Sequence, residues 1–144
     1  MQYRHHLQRQ IQANLVAIIS LVTALSGVFY DTWRDHRNEL NENRRNAAFE
    51  VLKNLGELQT IVNYAHFKMD SERGNPIEGW KYVLLIRDLT RLLPEQDSRQ
   101  GNFLYTTWQQ HWVDLESNQA SEKMISDQIS IARTNVLATI TDLQ

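Results

Sequence analysis

The sequence predicts an all-α protein in which an N-terminal transmembrane helix continues into an antiparallel four-helix bundle. Three observations predict it. The 144 residues include only five glycines and two prolines, too few for the turns of a loop-rich or all-β chain. Residues 13–30, ANLVAIISLVTALSGVFY, carry no formal charge. Downstream, apolar residues recur at steps of three and four in four stretches joined by short polar links, the pattern of helices that each bury one face. The implied organisation is a tail over 1–12, an anchor over 13–30, a charged juxtamembrane helix over 31–46 and a bundle domain over 47–144.

A bilayer core asks for roughly 20 apolar residues, with about 17 as the lower limit, and the run over 13–30 meets that limit. Its polar residues Asn14, Ser20, Thr23 and Ser26 can return their hydrogen bonds to the helix backbone. A soluble core helix would need a polar face, and no charge marks one. A cleaved signal peptide would use Arg4 and Arg9 as its basic flank and Ala24-Leu25-Ser26 as its cleavage site. The helical pattern, however, runs on past that site. Phe29, Tyr30 and Trp33 then fall where an interfacial aromatic belt lies, and Arg34 and Arg37 are cations able to meet lipid phosphates. These five residues form the expected membrane-interface collar. Basic residues flank the run on both sides in nearly equal number, so the positive-inside rule names neither face. Within the run, Ala13, Ala17, Ser20, Ala24 and Gly27 make a stripe of small residues, which lets membrane helices approach closely and associate.

No proline or paired glycine interrupts the chain from Gln8 to Met69, so one helix is able to run from anchor to bundle. Ala48, Val51, Leu55, Leu58, Val62 and Ala65 form its inward seam, broadened by Phe49, Leu52 and Ile61. Gly74 and Asn75-Pro76 break it. Asn75 is the expected N-cap of a second helix with Pro76 at its first position and Glu78 reaching back. The apolar residues of that helix cover more than one face, which predicts the most enclosed member, ended by Pro94. Asp97 or Ser98 is expected to cap a third helix carrying Leu104, Trp108, His111 and Leu115 in one stripe, with Tyr105 and Trp112 at its shoulder. Ile125, Ile129, Ala132, Val136, Ile140 and Leu143 share a face of the last helix.

The same residues exclude much chemistry. No cysteine is present, which removes disulfides, thiolate zinc sites and cysteine nucleophiles. A net charge of −2 supplies no basic field for nucleic acid. The paired Glu-x-x-His motifs of di-iron bundles, His-Glu-x-x-His, phosphate loops and nucleophile elbows are all missing. No catalytic residue, metal or cofactor is therefore expected. His66 and Asp70 stand four apart at a helix end, a spacing read as a solvated or capping histidine. Asp88, beside Arg87 and Arg91, reads as an ion-pair partner. The one ligand-site alternative is Trp108, His111 and Trp112, where a buried imidazole needs a partner; against it stands a structural histidine bonded to the facing helix and tryptophans serving as core volume.

YDTWRDHRNELNENRRNAAFEVLKNLGELQ, GNPIEGWKYVLLIRDLTRLLP and the paired tryptophans of TTWQQHW resemble a group of uncharacterised bacterial single-pass membrane proteins. That group opens with a similar tail and apolar segment and carries a Tyr-Asn-Thr-Trp-Arg-Asn-Glu collar. Asp31 and Asp35 stand here in place of amides, and His36 in place of the acid. The resemblance covers nearly the whole chain and implies an envelope location with no activity attached; together with the apolar run, the expected location is the bacterial inner membrane. The expected partners are thus the lipid bilayer and another protein, or a second copy of the chain.

Overall fold

The three-and-four period that starts at Ala48 is the end of one long helix. In the computed structural model, which describes the backbone of residues 2–143 and the side chains of 14–143 apart from positions 31 and 38, α1 spans Gln2–Asn63 and is unbroken through the collar. A π-turn, Tyr64–Lys68, follows it. The remaining helices are α2 Pro76–Thr90, α3 Glu95–His111 and α4 Gln119–Asp142, with a short 3₁₀ turn at Trp112–Asp114. No strand occurs among the described residues. Contacts divide the chain into two units, residues 1–40 and residues 41–144.

The second unit is the helical bundle. All six residues of the predicted seam are buried to 1% exposure or less. They meet Val83 and Ile86 of α2, Leu104 and Trp108 of α3, and Ile125, Ile129, Ala132 and Val136 of α4 in one apolar cluster. Direction follows from side-chain pairs. Asp97 meets Thr139, Gln100 meets Gln128 and His111 meets Ser121, so α3 and α4 run antiparallel. Thr90 lies against Gly101 and Gly79 against Trp108, which sets α2 antiparallel to α3. Arg45 donates to the Leu143 carbonyl and Gln59 to Ser126, which sets α1 antiparallel to α4.

Local chemistry places the ends. Asn75 caps α2, its side-chain oxygen accepting from the Ile77 N–H at 3.0 Å, with Pro76 in the first position whose N–H would be unpaired anyway. Asn118 does the same for α4, accepting from Ala120 and Ser121. The sequence pattern had singled out no cap there. Three expectations are corrected. α2 is not the enclosed helix: Gly79, Val83, Ile86 and Thr90 make one buried stripe, while Ile77, Leu84 and Leu85 are exposed, because each helix of a four-helix bundle keeps a side that no neighbour covers. Phe49, expected to widen the seam of α1, is likewise exposed. Neither Asp97 nor Ser98 caps α3, which already begins at Glu95 behind Pro94.

Asp97 is instead buried inside the third helical position. Its Oδ2 accepts from the Thr139 hydroxyl at 2.6 Å, and its Oδ1 has no hydrogen-bond partner. Burial pushes its carboxyl above the ordinary value of 3.8, opposed by the Thr139 hydrogen bond. A group that binds its proton more tightly when folded stabilises the fold below the unfolded pKa, and that stability is lost as pH rises through the folded one. Raising the pH upward from 3.8 should therefore lower the melting temperature of wild type relative to Asp97→Asn. Parallel melting curves against pH for the two proteins would exclude this account.

Candidate membrane and partner-binding sites

The first candidate site is the apolar run. α1 is the one helix among the described residues long and apolar enough to cross a membrane, and no part of its apolar window is buried. From Leu15 to Tyr30 the large apolar side chains are 49% to 73% exposed. Two of the four polar residues inside the run close their donors on the helix, Thr23 on the Ile19 carbonyl at 2.8 Å and Ser26 on that of Val22 at 2.7 Å, whereas Asn14 and Ser20 form no such bond among the described residues. Hydroxyls satisfied by their own helix cost little in an apolar medium.

The collar follows directly. Tyr30 and Trp33 pack with their rings tilted by 42° and 6.4 Å between centroids, and the Arg37 guanidinium lies 4.9 Å over the Trp33 ring. Arg34 stands 3.9 Å from the Asp35 carboxylate, both well exposed. One helical turn separates Trp33 from Tyr30 on one side and from Arg37 on the other, so the rings and this cation come from a single local stretch. Phe29 is exposed beside them. Of the small-residue stripe, Ala17, Ser20, Ala24 and Gly27 are exposed, and a Cβ at Gly27 would meet nothing within 4 Å. Ala13, like the tail before it, lies outside the residues whose side chains are described.

Trp108, His111 and Trp112 point to different neighbours. Trp108 is fully buried, its six-membered ring closed against Gly79 of α2. His111 Nδ1 lies 3.2 Å from the Ser121 hydroxyl in the first turn of α4. Trp112 turns its ring edge-on to Trp80, at 6.2 Å and 72°, and Trp80 packs in the same manner on Tyr105. Edge-to-face rings of this kind fill a core as effectively as they hold a ligand. Asp88 pairs with Arg87 at 3.5 Å and Arg91 at 4.0 Å. His66 neither caps its own helix nor sits in solvent; its Nδ1 is 2.9 Å from the Leu115 carbonyl, tying the π-turn to the turn before α4. Among the described residues no cluster of three or more His, Asp or Glu is placed to hold a metal ion.

A further feature had no sequence signal. The π-turn opens a groove of about 460 Å³ lined by Thr60, Asn63, Tyr64, Phe67 and Lys68. Nothing in a three-and-four period announces that the last turn will widen. Comparison of the chain with family models, curated proteins and solved structures finds no match.

Proposed function

We propose that this chain is a single-pass membrane protein whose helical bundle binds another protein, or a second copy of itself, and has no catalytic activity. The observation that carries the anchor is the charge-free run, none of it buried, followed at once by the Tyr30, Trp33 and Arg37 cluster. Such a run has two stable surroundings, lipid or protein, and its length suits lipid. On this reading Phe29, Tyr30 and Trp33 lie at headgroup depth, with Arg34 and Arg37 toward phosphate. The small residues Ala17, Ser20, Ala24 and Gly27 offer a face for helix association within the bilayer. The resemblance to bacterial single-pass proteins extends the proposal to a bacterial inner membrane.

The interaction part rests on the bundle itself. Exposed Phe67, Met69, Ile77 and Val113 leave apolar surface that the fold does not use. Trp108, His111 and Trp112 do not favour the ligand-sensor reading, because their contacts diverge toward α2 and α4. Crosslinking in the membrane, purification in mild detergent and mass spectrometry test the proposal. A second copy or a stoichiometric partner is expected; recovery of monomer alone would sink the interaction part.

A further inference from the structure

We propose that the end of the bundle formed by the π-turn, the loop to α2 and the turn before α4 is a docking surface for a basic amphipathic helix of a partner protein. This rests on the interaction reading above and names its surface.

These segments are held together. Besides the His66 contact with Leu115, Met69 and Asp70 both donate their N–H groups to the Tyr64 carbonyl, and Gly74 packs directly on the backbone of Ala65. The surface they present is apolar at four large side chains: Phe67 is 65% exposed, Met69 83%, Ile77 65% and Val113 70%. The groove beside Phe67 adds depth. The same segments, residues 64–78 and 112–118, carry five carboxylates against two cations. The whole chain has a net charge of only −2, so acid is concentrated at this end while the rest is nearly neutral. Arg73 is already occupied by Asp70 at 3.9 Å and by the Tyr64 ring. Glu72, Glu78, Asp114 and Glu116 are exposed and form no ion pair among the described residues. Apolar side chains on segments that also carry four unpaired carboxylates, against one unpaired cation among the described residues, Lys68, are complementary to a helix with one apolar and one basic face. Anionic lipid, by contrast, is repelled by those carboxylates.

The backbone supports the assignment. The π-turn widens the last turn of α1 and so turns Phe67 and Met69 outward at the helix end. Met69 has φ 51° and ψ 34°, the left-handed region where a helix end ordinarily uses glycine. A non-glycine residue there costs stability, yet the residue present is a flexible thioether turned to solvent. Methionine in that setting adapts its shape to an apolar partner.

The test titrates full-length protein in non-ionic detergent, with chain-free micelles as the blank, against two labelled peptides about four turns long. One has leucine on one face and lysine on the other; its twin has glutamate for lysine. Wild type is expected to bind the lysine peptide at least about tenfold more tightly than the glutamate peptide, with the preference shrinking as salt is raised. Glu72→Gln with Glu116→Gln should reduce that preference, and Phe67→Ser with Val113→Ser should weaken binding of the lysine peptide. Phe103→Ser, an exposed phenylalanine on α3, should change neither. Equal binding of the two peptides, or unchanged binding by both double variants, overturns the proposal, as does dimerisation that competes with the peptide and reassigns the surface to a second copy. The wider interaction reading fails separately, through recovery of monomer alone from the membrane.

Discussion

Leu21→Arg combined with Leu25→Arg should move the protein from the membrane fraction to the soluble fraction, whereas Leu21→Ala with Leu25→Ala should leave it in the membrane. Both leucines lie inside the exposed apolar run. A single arginine near the centre of a spanning helix costs about 2.5–3.5 kcal/mol on insertion scales. Two therefore cost roughly 6 kcal/mol, about four powers of ten in partitioning at 1.4 kcal/mol each. Alanine removes apolar area without adding a charge, so the double alanine variant tests hydrophobicity alone. Resistance to alkaline carbonate extraction is the measurement. Wild type released by carbonate, or a mature chain shortened near Ser26, would exclude the anchor and favour a peripheral or processed protein.

The same substitutions separate lipid from protein as the cover of the run. A soluble partner groove would tolerate arginine at whichever positions face outward from it. A bilayer surrounds the helix on every side, and the run is exposed all the way round. Arginine at Ile19 and Thr23, on the opposite face of the helix from Leu21 and Leu25, should thus be as damaging if lipid is the cover, because all four side chains are exposed.

Much of the fold was legible in the sequence, for a definite physical reason. The seam from Ala48 to Ala65 and the stripe from Ile125 to Val136 are buried as their spacing predicts, since the helical period dictates which residues share a face. Asn75 and Pro76 start α2 because a side-chain acceptor and a missing N–H suit the first turn of any helix. Facts about pairs of helices were not legible. Whether an apolar residue outside the seam is covered depends on how many neighbours its helix has, and Leu84, Leu85 and Phe49 belong to sides that none covers. Asp97 looked like a cap from its neighbours in sequence; its place is set by Thr139, forty-two residues away. Of the candidate site, the collar was readable because its partners stand three or four apart on one helix. The groove at the π-turn and the gathered carboxylates of two separate turns required the three-dimensional structure.

Close approach of α2 to α3 gives the sharpest test of the bundle, through two glycines of opposite character. Gly56 lies within α1, and a Cβ there would meet nothing within 4 Å. Gly56→Ala should therefore stabilise the bundle by up to about 1 kcal/mol, the difference in helix propensity between the two residues. Gly79 lies within α2, where a Cβ would run into Cζ2 and Cη2 of Trp108. That ring is fully buried and part of the central cluster, so it has little room to retreat. Overpacking of this kind costs about 1–3 kcal/mol, more than the propensity gain, and Gly79→Ala should lower stability where Gly56→Ala raises it. Trp108→Phe alone should destabilise by leaving space beside Gly79. Combined with Gly79→Ala it should lose less than the two single changes together, because the new methyl enters the volume that the smaller ring vacates. Chemical denaturation of the four variants in detergent measures each change and the coupling. A Gly79→Ala protein as stable as Gly56→Ala, or a double variant that is simply additive, would show that α2 and α3 do not meet at Gly79 and Trp108.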